Sequence, residues 1–192
     1  MSASSPVRLN LGCGRLRMEG FAGVDYERGP AVDVIADLSK RPWPFATASV
    51  DQVRTWHFLE HLSGYDFAGA VDEIARILKP GGLLYVKVPH RERGPYNPFH
   101  HRVFDRHSFD YWLDCGKTES CLQARFGVFR RVRQEVVYLA SGFPHWHLQR
   151  YAPRVWRGLC EEDERGLFAR FPAISGAYGE LREWLVRTGE AQ

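Results

Sequence analysis

Two groups of residues in this chain of 192 have types and spacing suited to chemistry. The first lies between positions 10 and 62. Asn10, Gly12, Cys13 and Gly14 sit at the end of an apolar run, Val7, Leu9 and Leu11. Asp25 ends a second run, Gly20 to Val24, and Asp37 with Leu38 ends a third, Val32 to Ala36. His57-Phe58-Leu59-Glu60-His61-Leu62 follows a fourth, Val50 to Thr55. Glycines remove side chains where a backbone must bend or approach a ligand. A carboxylate can accept both hydroxyls of a ribose, and another can accept an adenine amino group. Either could also simply cap a turn. The second group lies between Pro89 and Phe104 and contains His90, Arg91, Arg93, Asn97, His100, His101 and Arg102. Histidine can take a proton from a hydroxyl near neutral pH, and arginine offers a fork to carboxylate or phosphate.

The elements that must hold these residues follow from periodicity. Strands are expected at Val7–Leu11, Gly20–Val24, Val32–Ala36, Val50–Thr55 and Leu83–Val88. They are apolar enough to be buried on both faces, the pattern of a doubly wound parallel sheet. In such sheets ligands bind beyond the carboxyl ends of the strands, where Gly12, Gly14, Asp25, Asp37 and His57 all fall. Phe67, Val71, Ile74 and Leu78 predict a helix from Asp66, its cap, to Lys79, stopped by Pro80-Gly81-Gly82. Arg15 to Glu19 leaves room for only one or two helical turns, and Pro42-Trp43-Pro44-Phe45 is a rigid loop.

Asp105 is expected to cap a helix carrying Phe109, Trp112 and Leu113 inward and ending near Gly116. Phe126 to Leu139 reads as one long strand or a pair, with its alternation broken at Arg130-Arg131. Val155–Phe171 and Ile174–Val186 read as helices, the second with Ile174, Tyr178, Leu181 and Leu185 on one face.

Hydrophobic residues make up 44% of the chain, enough for one folded domain. Cys13, Cys115, Cys121 and Cys160 form no Cys-x-x-Cys pair, which speaks against structural zinc and a disulfide framework and favours a cytoplasmic location. No secretory leader or membrane span is expected from the sequence. Positions 1–88 carry ten basic and ten acidic residues, whereas positions 89–157 carry twelve against six and positions 158–192 four against seven. The basic middle suits an anionic acceptor. A dinucleotide site would need a third glycine where Arg17 stands and a well-formed helix N-terminus after the turn.

The ordered set Leu9-Asn10-Leu11-Gly12-Cys13-Gly14, Val24-Asp25, Ala36-Asp37-Leu38, His57-Phe58-Leu59-Glu60-His61-Leu62 and Leu78-Lys79-Pro80-Gly81-Gly82 resembles the class I S-adenosylmethionine-dependent methyltransferases. The resemblance spans about residues 7–88. It implies a seven-stranded, mostly parallel sheet whose last strand is antiparallel, with a short or missing first helix; the helical reading of the C-terminus would be an extension of it. It implies Gly12 and Gly14 at the methionine end of S-adenosylmethionine, Asp25 on the ribose, Asp37 and Leu38 at the adenine, and His57 beside the methionine. S-adenosylhomocysteine would be the product. Asn10 stands where an acidic residue is common, and its carbonyl oxygen can still accept. Leu16 stands where many members have a third glycine. Asn10 and Cys13 complete the expected cofactor set.

The single domain then divides into a cofactor half (about 7–88), an acceptor region (about 89–157) and a C-terminal segment (about 158–192). The acceptor is expected to be small or glycan-like and anionic, methylated on oxygen or nitrogen. Asn97 to Phe104 looks similar to a Pro-x-His-x-Arg segment of related small methyltransferases. His100 is the first choice for the base that takes the acceptor proton and His57 the second. Arg91, Arg102 and His101, with Arg93, are candidates to hold the acceptor. A metal would need His57 and His61 plus His100 or His101. The resemblance already accounts for the His-x-x-x-His spacing, so none is expected. The alternatives are a binding module without chemistry and a nucleic-acid methyltransferase. The aromatic and basic stretch Phe143 to Arg157 would suit nucleic acid or a membrane surface, but an Asn-Pro-Pro-aromatic motif is absent.

Overall fold

The computed structural model describes residues 5–90, 97–113, 128–139, 150–154 and 178–189. The strands are β1 (Arg8–Leu11), β2 (Ala22–Asp25), β3 (Val34–Ile35), β4 (Val50–Trp56), β5 (Leu78–Pro89), β6 (Phe129–Leu139) and β7 (Tyr178–Arg187). The α-helix α1 (Gly64–Ile77) and 3-10 turns at Leu59–His61 and Asp110–Trp112 complete the main elements. The sheet order is β3-β2-β1-β4-β5-β7-β6. β1 to β5 pair in parallel, and β7 runs antiparallel to both of its neighbours. The direction of winding therefore reverses between β1 and β4, and Leu11 of β1 lies opposite Thr55 of β4. The segments leaving these two strands, Gly12 onward and His57 onward, flank the crevice at that reversal, where open parallel sheets take ligands.

Helix α1 buries Phe67, Val71 and Ile74, as its spacing predicts, and Ile77, whereas Leu78, the fourth residue of the expected face, lies beyond its end. Its cap is Ser63 rather than Asp66; the Ser63 hydroxyl donates to the Asp66 carboxylate at 2.5 Å. The helix ends at Ile77, and Leu78 is already extended. Pro80-Gly81-Gly82 therefore lies inside β5, at an irregularity where the pairing with β4 shifts register between Val50 and Gln52. Gly81 takes φ 79° there, a backbone conformation that a side chain would strain.

The loop after β3 is tied to α1 by one buried carboxylate. Glu73 accepts from the Trp43 amide at 2.7 Å and from Arg76. Arg76 also donates to the Trp43 and Phe45 carbonyls. Trp43 in turn donates its indole N–H to Leu38 O at 3.1 Å, which fixes the chain just beyond Asp37.

Two expectations for the second half are corrected. The helix expected from Asp105 is a loop ending in the short turn Asp110–Trp112. The Asp105 carboxylate accepts from His107 N–H two residues on, and Ser108 Oγ donates back to it, so the local bonding closes a turn instead of starting a helix. Phe109, Trp112 and Leu113 are buried nonetheless, with Phe109 and Trp112 beside Phe67 of α1.

The expected helix at Ile174–Val186 is a strand over Tyr178–Arg187. Leu181, Glu183 and Leu185, each 0% exposed, alternate along it as a strand requires. The acidic residue in this inward row is paired with Arg131, which forks onto Glu183 at 3.0 Å, and accepts a further hydrogen bond from Gln134. The antiparallel last strand implied by the family resemblance is thus present. β6 is one continuous strand with a register shift between Arg131 and Arg133, next to the break in its alternation. Val155–Phe171 and most of Phe143–Arg157 lie outside the described residues.

Candidate functional site

The turn after β1 folds back onto the end of β2. Gly12 N–H and Cys13 N–H both donate to Val24 O, at 2.9 and 3.2 Å. Gly12 and Gly14 take φ 65° and 52°, in the left-handed region. A Cβ on Gly12 would lie 2.5 Å from the Phe58 ring, so glycine is required here for packing as well as for conformation. Gly14 N–H donates to Asp25 Oδ2 at 2.7 Å, and Tyr26 N–H donates to Oδ1 at 2.8 Å. Both carboxylate oxygens are therefore oriented by backbone, and each retains a lone pair for a ligand hydroxyl.

Gly12, Asp25, Tyr26 and Phe58 line a cavity of about 390 Å³, with Gly14 outside it. Its walls come from four successive strand ends: Gly12, Asp25 with Tyr26, Ala36 to Ser39, and His57, Phe58, His61 and Leu62. Asp37 is held by Lys40 at 2.9 Å and by the Ser39 hydroxyl at 2.6 Å. The Lys40 contact and then the Ser39 bonds lower its pKa to about 2, so the carboxylate is ionised across the physiological range. Leu38 lines the same space from a buried position.

Two of the expected cofactor residues face elsewhere. The Cys13 thiol lies 3.5 Å from Ala31 O, and burial together with the Asp25 charge raises its pKa. Asn10 is 2% exposed; its amide reaches Leu16 O at 3.4 Å, and its Oδ1 has no hydrogen-bond partner among the described residues. Neither side chain lines the cavity, so Cys13 and Asn10 shape the turn from beneath.

A second cavity, of about 480 Å³, opens beside the first and is lined by His57, Glu60, His61, Pro89, Asn97, Pro98 and His100. His57 and His61 line both. His57 takes φ 52°, a conformation that costs a non-glycine residue about 1–3 kcal/mol. Its amide donates to Lys87 O at 2.9 Å, and its ring lies between two carboxylates, Nδ1 at 3.0 Å from Glu60 and Nε2 at 3.3 Å from Glu180. Glu180 also pairs with Lys87 at 2.9 Å and with Arg182 at 3.1 Å. Burial works to raise the Glu180 pKa, but the hydrogen bonds from Lys87 and Arg182 outweigh it and hold the carboxyl below its usual range.

His61 donates Nδ1–H to Phe99 O at 3.1 Å, since a carbonyl can only accept. This leaves Nε2 with the lone pair. His61 and His100 pack edge to face, 4.9 Å between ring centroids, and His100 Nε2 is 3.0 Å from the Asn97 amide. Of the expected acceptor residues, His101 gives its backbone N–H to Glu60 O, while its side chain is exposed and outside both cavities. Arg102 turns toward α1, with its guanidinium 3.9 Å from the centre of the Phe67 ring and donating to Ser63 O; burial lowers its pKa. Arg91 and Arg93 lie outside the described residues.

The sequence reading missed Glu180, which touches His57 from β7, and it named Asn97 and Glu60 in their segments without giving either a role. Glu60 could have been suspected from its place between two histidines. Nothing local marks Glu180, which lies 123 positions from His57.

Comparison with known proteins agrees with this fold. Residues 16–86 match the family described as "Methyltransferase domain". A protein of Mycolicibacterium smegmatis named a probable S-adenosylmethionine-dependent methyltransferase is 38% identical over 123 residues, covering 56% of this chain and 46% of that protein. One of Mycobacterium tuberculosis bearing the same description is 43% identical over 82 residues, covering 39% of this chain and 28% of that protein. The match thus spans less than half the length of either curated relative. Among solved structures, an S-adenosylmethionine-dependent methyltransferase from Archaeoglobus fulgidus superposes with a TM-score of 0.62 at 16% identity, covering 96% of this chain and 87% of that one. The chain has the fold of the class I methyltransferases, and its residues 16–86 carry the methyltransferase-domain match. Both curated relatives are named for dependence on S-adenosylmethionine.

Proposed function

We propose that the chain transfers a methyl group from S-adenosylmethionine to an oxygen or nitrogen of a small or glycan-like, anionic acceptor. The observation that carries this reading is that two cavities share one wall, His57 and His61. Methyl transfer is an in-line displacement, so donor and acceptor must meet across a short, fixed gap. The cavity of about 390 Å³ has the size of a small-molecule site and the polar ends a nucleoside needs. Asp25 would hold the ribose hydroxyls, and Asp37 with Leu38 the adenine. The left-handed turn at Gly12 and Gly14 would admit the rest. The cofactor supplies a methyl group made electrophilic by a positively charged sulfur.

The neighbouring cavity, of about 480 Å³, takes the acceptor. Its size suits a small molecule or a sugar unit rather than a folded macromolecule, and the basic middle of the sequence favours a negative charge. Both ring nitrogens of His57 are occupied by carboxylates, so His57 positions the wall and is not the base. His100, with His61 beside it, stands where an acceptor proton must leave.

Calorimetric titration with S-adenosylhomocysteine tests the first half of this reading, and transfer of labelled methyl groups to a panel of sugars and small acids tests the second. Micromolar or tighter binding is expected, weakened about tenfold or more in Asp25→Ala, since leaving polar groups unpaired costs about 1–3 kcal/mol. No binding by the unmodified chain would refute the reading. Unchanged affinity in Asp25→Ala would remove Asp25 from the site.

A further inference from the structure

We propose that Glu60, His61 and His100 form a site for one divalent cation of the first transition row, set in the wall of the acceptor cavity. Donor atoms of the three side chains lie within 4.8 Å of one another. In a tetrahedral site with bonds of about 2.1 Å the donors stand about 3.4 Å apart, so small side-chain rotations would gather them.

Glu60 is the independent reason to expect a ligand. Its side chain is 0% exposed. Its Oε1 is taken by His57, whereas Oε2 has no hydrogen-bond partner among the described residues. A buried carboxylate oxygen left unsatisfied costs about 1–3 kcal/mol or more, and native structures rarely keep one without a reason. A cation beside Oε2 would satisfy it.

The surroundings also have the character of an outer shell. A histidine that ligates a metal usually gives its other ring N–H to a carbonyl or carboxylate, which fixes the ring and its tautomer. His61 does so, with Nδ1–H on Phe99 O and the lone pair left on Nε2. His100 Nε2 accepts from the Asn97 amide, whose Oδ1 is taken by Phe99 N–H, so the ring must release that bond to offer its Nε2 lone pair to an ion. His57 orients the carboxylate through Nδ1. His57, which the sequence suggested as a ligand, is thereby excluded from the donor set: it positions Glu60.

Two imidazoles and one carboxylate favour manganese, iron, cobalt or zinc over magnesium or calcium, which prefer oxygen alone. Three protein ligands leave coordination positions open toward the cavity. On the methyltransferase reading above, on which this role rests, an acceptor oxygen would take an open position. There the ion would orient it and ease loss of its proton. His61 and His100 would then serve as ligands instead of bases.

The test uses the full chain, freed of metal with a chelator. Titration with Mn²⁺, followed by loss of the free-ion paramagnetic resonance signal, is expected to show one saturable site. Co²⁺ should compete for it and give a visible absorption band. Glu60→Gln and His100→Gln should each weaken Mn²⁺ binding about tenfold or more, and His57→Gln by a comparable factor through the outer shell. Circular dichroism and urea midpoints confirm that each variant is folded; His100 lies at the cavity surface, so its variant keeps the test valid if Glu60→Gln unfolds. Absence of saturable Mn²⁺ and Co²⁺ binding, or equal affinity in the unmodified chain and folded variants, would overturn the proposal. S-adenosylhomocysteine titration without metal reports separately on the methyltransferase reading, so the two can fail independently.

Discussion

Replacing Glu180 with glutamine should weaken the whole chain and loosen the site at the same time. Glu180 is 5% exposed in its side chain and pairs with Lys87, itself 10% exposed, at 2.9 Å. Removing one member of a buried pair typically costs about 3–5 kcal/mol, because the other charge remains in a poorly solvated place. Two features reduce that figure. Lys87 Nζ lies 4.0 Å from the centre of the Trp56 ring and keeps this cation–π contact, worth about 0.5–2 kcal/mol. Glutamine also keeps the volume and an amide oxygen for Lys87 or Arg182. The expected loss is therefore about 2–3 kcal/mol. For a chain of this size that lowers the melting temperature by roughly 4–12 °C.

The assay is urea unfolding of the unmodified chain, Glu180→Gln, Lys87→Met and the double variant. The double variant should recover most of the loss, since it leaves no unpaired buried charge. Methyl transfer should fall further than stability alone explains, because His57 loses its contact with β7 while adopting an unfavourable backbone conformation. A Glu180→Gln chain within about 0.5 kcal/mol of the unmodified one, or a double variant showing the sum of the single losses, would refute the assignment of Glu180 as the counter-charge that pins Lys87 and His57.

Gly12→Ala should cost about 1–2 kcal/mol from the left-handed backbone alone, plus a clash with Phe58, and should abolish measurable S-adenosylhomocysteine binding. Phe58→Ala in that background should relieve the clash but not the backbone strain, a difference that denaturant midpoints and calorimetry can resolve. Stability should be nearly flat from pH 7 to about 5 and fall below about pH 4. Arg76 lowers the Glu73 pKa, Lys87 and Arg182 outweigh burial to lower that of Glu180, and Lys79 lowers that of Asp51. Carboxyls with depressed folded pKa values stabilise above their ordinary values, 4.5 for glutamate and 3.8 for aspartate, and lose that contribution as pH falls through the folded values. Glu183 runs the other way: burial raises its pKa against the pull of Arg131 and Gln134, so acidification through its window favours the fold. Urea midpoints across pH 3–7 check the sign; a maximum near pH 3 would contradict it.

The sequence by itself located most of the residues that line the first cavity, because every signal there is local. Apolar runs end in Gly12, Asp25, Asp37 and His57, and strand geometry puts such ends on one edge of a parallel sheet. Short-range spacing likewise placed α1 and the inward residues Phe109 and Trp112. The tertiary structure decided the other wall. Leu181 and Leu185 are four apart, a separation that puts side chains on one face of either a helix or a strand, so spacing alone could not choose between them. Nothing in the sequence marked Glu180 and Glu183, whose partners Lys87 and Arg131 come from other strands. Arg102 looked free to bind an anion until packing laid it on Phe67. His57, His61 and Glu60 were visible as a motif, but only the fold showed which ring nitrogens are occupied and which carboxylate oxygen is not. Local periodicity decides where a strand ends. The pairing of buried charges depends on strands that meet from distant parts of the chain, and no spacing rule encodes that meeting.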